Sequence, residues 1–454
     1  MSDVIAAIAT GGAPCAIGVV RVSGPGCFAL CDGVFHAWSG RAFAALPPRT
    51  MVLGELRDEA GRLVDRGLAV RFPAPHSYTG EDSAELHCHG SPVVLGEVLR
   101  ALFTAGARQA RPGEFTRRAF LNGRLDLTEA EAVIDLIDAQ TPAAARNAAA
   151  QLDGGLRRAL QPVQDALLDV CSRFYAVVDY PDEDIEDVGR EQIAAALRAS
   201  DRALTALLDT CGRGRVLKAG VRAAILGRPN AGKSSLLNAL AGFDRAIVTD
   251  IPGTTRDTVE EAVLCGGVLL RLIDTAGLRE TEDAVERLGV ERSRRAAEEA
   301  ELILAVVDGS RPVNEEDREV LRLASSSGKP WIFVQSKGDL AQAPLSLPEG
   351  AGAATVLVSA RTGAGLDALG EQVAALFPVG EGSGALLTDD RQEDAARRAR
   401  AAVRRAEAAL AEGMTPDAVL TDAEEALDAL GELTGRTARE EIVERIFSRF
   451  CVGK

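Results

Sequence analysis

One segment of eight residues, Gly227 to Ser234, constrains the fold of this chain more than any other feature. It reads Gly-Arg-Pro-Asn-Ala-Gly-Lys-Ser and matches the pattern GxxxxGK[ST]. An apolar segment precedes it and a helical pattern follows. In that context the glycines let backbone N–H groups surround phosphates, Lys233 reaches the β and γ oxygens, and Ser234 ligates Mg²⁺. The segment therefore predicts a nucleotide-binding α/β domain.

The surrounding sequence supports such a domain. From Val221 onward, short apolar segments alternate with polar helical ones, which is typical of a parallel sheet with crossover helices. The expected strands are Ala223–Leu226, Leu269–Ile273, Leu302–Val307, Ile332–Val334 and Thr355–Val358.

Two further motifs complete the phosphate side. Asp274-Thr275-Ala276-Gly277 follows the second strand, where Asp274 would hold Mg²⁺ through water and the Gly277 N–H would meet the γ-phosphate. Thr255, in Gly253-Thr254-Thr255, is placed to supply a second hydroxyl to Mg²⁺. Leu278 stands where many GTPases place a Gln that orients the attacking water, so another group must do this.

The base is read by two later motifs. Ser336-Lys337-Gly338-Asp339 follows the fourth strand, and the Asp339 carboxylate can accept guanine N1–H and N2–H₂, which adenine does not offer. Such loops usually begin with Asn, which braces the phosphate loop and touches the base. Its replacement by Ser336 is expected to affect the affinity for the nucleotide more than the specificity, because Asp339 remains. Ser359-Ala360-Arg361 follows the fifth strand and resembles the loop that closes on guanine O6. Together the five motifs predict a GTPase.

Two charged residues are candidates for the missing catalytic function. Glu286, within Arg279–Glu291, could bind the attacking water, and Arg256 could face the phosphates. The alternative for both residues is an ordinary ion pair on the charged surface around this helix, and the residues alone favour that interpretation.

The first ~120 residues predict an α+β domain with strands and tight turns. Ile17–Val22 is an apolar strand, Met51–Leu56 and Leu63–Phe72 flank the turn at Asp58–Gly61, and Pro92–Phe103 is a helix. Alternation places Glu85, His87 and His89 on one strand face, which suits either a ligand pocket or a dimer surface.

Helical patterns flank the α/β segment on both sides. Thr128 to Glu131 fits a capping box, Asp179–Asp187 reads as a solvated acidic loop, Arg213-Gly214 marks a boundary, and Gly380–Gly384 is a linker. We therefore expect one helical bundle domain with the α/β P-loop domain inserted into it. The predicted boundaries are 1–122, 123–215, 216–379 and 380–454.

The bulk composition limits the functions available. A net charge of −16 argues against unaided electrostatic binding of RNA or an anionic membrane. The sequence shows no secretory signal, and its longest apolar runs are too short to span a bilayer, which predicts a cytosolic protein. The eight cysteines include no CxxC pair, so reduced buried thiols are expected, with a zinc site as the alternative.

Several longer segments resemble the MnmE (TrmE) family of tRNA-modification GTPases, and the resemblance covers the whole chain. These segments are Arg228–Asn238, Asp250–Asp257, Asp274–Arg279, Arg111–Thr116, Ala119–Leu127 and Ile446–Lys454. The resemblance implies a homodimer that works with a flavin-bearing MnmG (GidA) partner in a heterotetramer. It also implies C5 modification of the tRNA wobble uridine with a one-carbon unit from 5-formyl- or 5,10-methylene-tetrahydrofolate.

The resemblance further assigns site residues. It implies folate contacts at Arg21, Glu85, Arg124 and Lys454, and Arg124 keeps the charge of the Lys often found there with a different geometry. It implies GTP hydrolysis stimulated by K⁺, with Glu286 as the acid that orients water. The implied K⁺ ligands are Asn230, Thr249, Ile251 and Thr254. The implied nucleotide contacts fall in five segments of the chain. They are Asn230, Ala231, Gly232, Lys233, Ser234 and Ser235; Thr249, Asp250, Ile251, Pro252, Gly253, Thr254 and Thr255; Asp274, Thr275, Ala276 and Gly277; Ser336, Lys337 and Asp339; and Ser359, Ala360 and Arg361.

Two other readings share the same GTPase core. A ribosome-assembly GTPase predicts a basic RNA-binding appendage with a GXXG loop, which the C-terminal ~70 residues lack. A regulatory switch would use the N-terminal domain only to dimerise and would not bind folate. Cys451, four residues from the end, suits a structural or pocket-lining role better than a nucleophilic one.

Overall fold

The computed structural model describes residues 3–179, 189–243, 261–273, 294–341, 354–379 and 386–454. The chain forms two compact units. The N-terminal unit comprises Met1–Ile134 and Asp428–Lys454, and the central unit comprises Asp135–Leu427. The acidic stretch beyond Asp179 and the linker Gly380–Gly384 lie outside the described residues.

The strands fall into two sheets. Those of the N-terminal unit are β1 Ile5–Ile8, β2 Cys15–Ser23, β3 Phe35–Ala37, β4 Val52–Arg57, β5 Leu63–Phe72, β6 Ser83–Gly90 and β7 Arg108–Gln109. Those of the central unit are β8 Val221–Leu226, β9 Glu261–Cys265, β10 Val268–Leu272, β11 Leu302–Asp308, β12 Trp331–Ser336 and β13 Ala354–Leu357.

The helices with complete bounds are numbered in chain order. They are α1 Cys27–Asp32, α2 Pro92–Thr104, α3 Glu114–Leu121, α4 Leu127–Ile137, α5 Pro142–Leu152, α6 Gly155–Asp179, α7 Arg190–Leu208, α8 Cys211–Ala219, α9 Lys233–Phe243, α10 Glu315–Ser326, α11 Leu366–Leu376, α12 Asp390–Ala411, α13 Pro416–Thr434 and α14 Glu440–Phe447. Residues 294–299 are also helical.

The sheet of the N-terminal unit has the order β3-β4-β5-β6-β2-β1-β7, and α1 and α2 pack on it. The apolar side chains of α2, Leu95, Val98 and Leu102, lie in the same core as Leu86 of β6. The predicted hairpin is confirmed, because β4 pairs antiparallel with β5. Its turn is held by Asp58, whose Oδ1 accepts the backbone N–H groups of Ala60 and Arg62.

The end of the chain also belongs to the N-terminal unit. Val443, Phe447 and Phe450 pack against Leu127 and Ala130 of α4 in one apolar cluster. Val452 forms an isolated bridge with Pro112, and the Lys454 carbonyl accepts the Phe115 N–H at 3.2 Å. These contacts fix the last residues beside the start of α3.

The capping box predicted at Thr128 and Glu131 is wrong by two residues. Asp126 precedes α4, its Oδ1 accepts the Glu129 N–H at 2.8 Å, and Glu129 Oε2 accepts the Asp126 N–H at 2.9 Å. Thr128 instead donates its hydroxyl to Asp126. The pairs Thr128/Glu131 and Asp126/Glu129 both have the spacing of a capping box, and Asp caps a helix as well as Thr does. The spacing therefore does not predict which pair caps α4.

The sheet of the central unit has the order β13-β12-β11-β8-β10-β9. The five predicted strands are present and parallel. A further strand that the sequence analysis did not predict, β9, pairs antiparallel with β10 at one edge. Gly266 and Gly267 join these two strands with φ of 60° and 79°. Two positive φ values form the tight turn that glycine pairs favour, so this Gly-Gly was a sequence signal for a hairpin.

Helical residues cover both faces of this sheet. Leu236 and Leu240 of α9 lie with Leu369 of α11 in the apolar core on one face. Ala324 of α10 lies in the core of the other face. With helices on both faces, the carboxyl ends of the parallel strands form one edge, where ligands bind in such folds.

Arg213 and Gly214, at which the sequence predicts a domain boundary, both lie inside α8. Gly214 is buried, and a Cβ built on it would lie 1.9 Å from the Leu387 carbonyl oxygen. This glycine therefore allows close packing rather than marking a linker. The helix ends at Gly220, with φ of 75°, immediately before β8.

Candidate functional site

The phosphate loop, residues 227–232, joins β8 to α9 as predicted. A Cβ on Gly227 would lie 2.6 Å from the Val306 carbonyl oxygen, and Gly232 has φ of 93°, so both positions need glycine. Asn230 also has positive φ, at 61°. A tight glycine-containing turn of this kind is the backbone geometry whose N–H groups bind phosphate oxygens in nucleotide-binding loops.

Lys233 extends over the loop. Its Nζ donates to the carbonyl oxygens of Gly227 at 2.7 Å and Arg228 at 2.9 Å. Burial lowers the pKa of this ammonium below its ordinary value. The cation is thus held at the loop by neutral acceptors, which an anionic phosphate would outcompete.

The base loop, residues 336–339, lies at the end of β12, and Ser359 to Arg361 lie beyond the end of β13. Asp339 Oδ1 accepts the Ser359 hydroxyl at 2.9 Å, and Asp339 Oδ2 pairs with Arg361 Nε at 3.1 Å. Arg361 is largely exposed, whereas the Asp339 side chain is only 15% exposed. The structure therefore brings together three residues that the sequence assigns to guanine recognition.

Ser336 connects the base loop to the phosphate loop. Its hydroxyl lies 2.5 Å from the Ala231 carbonyl oxygen and 3.2 Å from that of Val307, and its one proton can be donated to either. Ser336 therefore makes a direct contact between the two loops at the position where Asn is usual.

Lys337 lies between these loops and the sheet. It has φ of 55°, and its Nζ pairs with Asp308 Oδ2 at 2.7 Å at the end of β11. Burial raises the pKa of Asp308, but hydrogen bonds from Lys337 and Ser310 outweigh it and hold that pKa below its ordinary value. Asp308 is therefore a buried anion that fixes Lys337.

Much of the predicted phosphate and metal machinery lies outside the described residues. This holds for Thr249, Asp250, Ile251, Pro252, Gly253, Thr254, Thr255, Arg256, Asp274, Thr275, Ala276, Gly277 and Glu286. Of the predicted metal ligands, Ser234 for Mg²⁺ and Asn230 for K⁺ are described. Asn230 lies in the phosphate loop, and Ser234 lies in the first turn of α9. Hydroxyl and amide oxygens are hard ligands that suit these ions.

A second polar cluster lies in the N-terminal unit. Arg21 Nη2 pairs with Glu85 Oε1 at 3.0 Å, and Arg21 Nη1 donates to the Gly453 carbonyl at 3.4 Å. The Arg21 guanidinium lies over the rings of Tyr78 and Phe115, at 5.6 and 5.7 Å from their centroids. The structure thus brings Arg21 and Glu85 together beside the C-terminal residues.

Arg124 lies in an adjoining open cleft of about 700 Å³. Arg49, Phe72, His76, Ser77, Tyr78 and Arg124 line it. Tyr78 borders both the cleft and the Arg21 cluster, and its hydroxyl lies 3.0 Å from Thr116 Oγ1. The sequence reasoning missed Tyr78, although one of only three tyrosines in the chain, placed in a loop between strands, was a signal for a binding residue.

The predicted alternation along β6 is confirmed, because Glu85, His87 and His89 are less buried than the residues between them. His87 Nε2 lies 3.4 Å from Glu85 Oε2, while Leu86 and Cys88 are buried on the opposite face. The two cysteines of this region differ in their surroundings. Cys451 is exposed, whereas Cys88 is buried, and burial raises the pKa of the Cys88 thiol to about 11. Among the described residues, no group of three or more His, Cys, Asp or Glu side chains could hold a metal ion.

The phosphate loop after β8 and the base loop after β12 lie at one edge of a mainly parallel sheet, which defines a P-loop GTPase domain. Two family models account for nearly the whole chain. The model described as GTP-binding protein TrmE N-terminus matches residues 4–124, and the MnmE helical domain matches residues 127–451.

Curated relatives give the same result. A tRNA modification GTPase MnmE from Heliobacterium modesticaldum is 44% identical over 100% of both chains. That of Symbiobacterium thermophilum is 45% identical over 100% of this chain and 99% of the relative. The chain belongs to the MnmE (TrmE) family of tRNA modification GTPases, hydrolyses GTP, and binds GTP with Mg²⁺.

Among solved structures, the G domain of the Thermotoga maritima FeoB iron transporter is 27% identical and covers 34% of this chain and 97% of that chain, with a TM-score of 0.26. In the described part of this chain, every helix is too short or too polar to cross a membrane.

Proposed function

We propose that this protein and a flavin-bearing MnmG-type partner install an aminomethyl-type group, such as carboxymethylaminomethyl, at C5 of the tRNA wobble uridine. A reduced folate, 5-formyl- or 5,10-methylene-tetrahydrofolate, supplies the one-carbon unit when bound. The observation that supports this proposal is the Arg21–Glu85 ion pair at the C-terminal residues, beside the cleft that contains Arg124.

The residues of the N-terminal unit fit such a ligand chemically. Glu85 is an acceptor for the N–H groups of an aminopyrimidine ring, and the aromatic ring of Tyr78 is a surface for stacking. Arg124 carries a charge that suits the carboxylates of a glutamyl tail, and Lys454 supplies a further cation. We assign these residues to folate binding in a homodimer.

GTP hydrolysis is proposed to drive conformational change rather than the bond-making step. Lys233 and Ser234 bind phosphate and Mg²⁺, with Thr255 as the second Mg²⁺ hydroxyl. Asp339 reads the base, and Glu286 orients the attacking water. Asn230, Thr249, Ile251 and Thr254 would hold K⁺, which would neutralise charge on the phosphates together with Arg256.

The domains proposed for these roles keep the predicted boundaries. Residues 1–122 bind folate and dimerise, residues 216–379 form the GTPase domain, and 123–215 with 380–454 form the helical domain. The net charge of −16 is consistent with a complex in which the partner supplies much of the tRNA-binding surface. We place this complex in the cytoplasm.

The test is the composition of wobble uridines in tRNA from cells with and without this gene. We expect C5-modified uridines to disappear on deletion and to return with the wild-type gene or with Glu97→Gln, a change at a surface ion pair. Glu85→Gln is expected to restore them poorly and to weaken binding of 5-formyltetrahydrofolate by about tenfold or more. Unchanged uridines after deletion, with no second copy of the gene, would leave the GTPase in place and refute the proposed substrate.

A further inference from the structure

A chain of ion pairs connects the phosphate loop to the base loop without passing through the nucleotide. Arg228 Nε lies 3.4 Å from Asp317 Oδ1, and Asp317 Oδ2 lies 3.3 Å from Arg311 Nη2. Arg311 Nε lies 3.5 Å from Asp308 Oδ2, which pairs with Lys337 at 2.7 Å. We call these five residues the loop-bridging network.

The two carboxylates at its centre are buried and rigidly placed. The side chains of Asp317 and Asp308 are 1% and 5% exposed. Asp317 also forms a capping box with Asn314 at the start of α10, and Asp308 accepts the N–H and hydroxyl of Ser310. A buried carboxylate that loses a cationic partner is strongly destabilised, so each anion restrains the cations around it.

The network is not fully hydrogen-bonded in this structure. Arg228 Nε, Arg311 Nε and Asp317 Oδ1 are buried and make no hydrogen bond within the described residues, although each lies within ion-pair distance of an opposite charge. Buried polar atoms in native proteins normally find partners. A small shift of Arg228 toward Asp317 would complete one such bond, and Arg228 belongs to the loop that surrounds the phosphates.

We propose that Arg311 and Asp317 are positioning residues that couple the phosphate loop to the base loop. They act through Arg228 on one side and through Asp308 and Lys337 on the other. The consequence is that a change in the phosphate loop alters how well the protein distinguishes bases. This coupling adds to the direct hydrogen bond between Ser336 and Ala231, which joins the same two loops.

The test measures base discrimination in variants whose changed residue lies away from the base loop. The ratio of the Kd for IDP to the Kd for GDP reports recognition of the guanine 2-amino group, which IDP lacks. We expect Arg228→Gln, Arg311→Gln and Asp317→Asn in the full-length protein each to lower this ratio by about threefold or more, as coupled neighbours do. Arg311→Lys, which keeps the charge, is expected to recover part of the loss.

The matched control is Arg318→Gln, on the same helix α10, because Arg318 forms an exposed pair with Glu315 at 3.3 Å. It is expected to leave the ratio unchanged. Equal losses of GDP and IDP affinity in Arg228→Gln and Arg311→Gln would overturn the proposal, since they would show a local effect on phosphate binding alone. Arg311 is partly exposed, so Arg311→Gln keeps the test usable if Asp317→Asn impairs folding.

Discussion

The hydroxyl of Ser336 is the point at which the base loop contacts the phosphate loop. Ser336 is only 6% exposed, and the Ala231 carbonyl lies within its reach because β12 and the phosphate loop end at the same edge of the sheet. A Cβ on Gly232 would lie 3.2 Å from this hydroxyl, so the two loops pack closely as well. One small side chain thus does the bracing for which Asn is usual.

Removing this hydroxyl is expected to weaken nucleotide binding. Ser336→Ala should raise the Kd for GDP about fivefold, which corresponds to the net loss of one hydrogen bond. Titration with a fluorescent GDP analogue measures this change. Ser326→Ala, at an exposed hydroxyl at the end of α10, serves as the control and should bind normally. An unchanged Kd in Ser336→Ala would show that the brace contributes nothing to binding.

Asp339 is expected to determine which base is bound. Asn in its place offers an N–H₂ donor, which matches the 2-oxo group of xanthine and no longer accepts both N–H groups of guanine. Asp339→Asn should therefore lose at least about tenfold in GTP affinity and gain affinity for XTP. Competition binding with both nucleotides tests this, with Asp367→Asn as an exposed control on α11. A parallel loss for both nucleotides would contradict the assigned contact.

At the scale of the element, α8 contains two glycines with opposite surroundings. A Cβ at Gly214 would meet the Leu387 carbonyl at 1.9 Å, whereas a Cβ at Gly212 would meet nothing within 4 Å. Neither glycine has a positive φ, so helix propensity would favour alanine at both. The contact with Leu387 decides the outcome at one position only.

This pair gives a matched stability test. Gly214→Ala is expected to destabilise the central unit by about 1–3 kcal/mol through overpacking. Gly212→Ala is expected to stabilise it by up to about 1 kcal/mol through helix propensity. Calorimetric unfolding of the full-length protein compares the two. If both variants became more stable, α8 would not pack closely against the segment that contains Leu387.

On the scale of the whole molecule, an ion cluster joins the N-terminal segment to α3. Arg118 pairs with Asp3 at 3.0 Å, with Glu81 at 2.8 Å and with Glu114 at 3.2 Å, and Arg108 pairs with Glu114 at 2.5 Å. Burial raises the pKa of Glu114, but hydrogen bonds from Arg108 and Arg118 outweigh it and lower that pKa to about 2. The hydrogen bond from Arg108 likewise lowers the pKa of Asp3 to about 2.

A carboxyl whose pKa is lower in the folded state stabilises the fold above its ordinary pKa and loses that contribution as pH falls through the folded value. For Glu114 the window runs from its ordinary value of 4.5 down to about 2. The unfolding temperature of the N-terminal unit should therefore fall across this range. The Glu114→Gln variant should be less stable than the wild type at pH 7, and its unfolding temperature should fall less as the pH is lowered. The Glu97→Gln variant should show the same pH dependence as the wild type. Parallel curves for Glu114→Gln and wild type would exclude this linkage.

Local patterns in the sequence predicted much of the fold. The strand, loop and helix around Lys233, the positions of the five central strands along the chain, the β4–β5 hairpin and α2 follow from periodicity and turn residues over short windows. The same windows failed where two readings were locally equivalent, as at Asp126 and Thr128, and where a Gly-Gly turn to the edge strand β9 was not recognised.

By itself, the sequence determined which chemical groups this protein possesses: the phosphate loop, the base-reading Asp339 and the family to which they belong, because each is a short contiguous motif. Only the tertiary structure decided which groups meet. Ser336 contacts Ala231, Arg21 meets Gly453, and Arg228 is linked to Lys337 through two buried carboxylates. These partners are far apart in the chain, so their contact depends on strand order and on the path of the chain, which local periodicity does not encode.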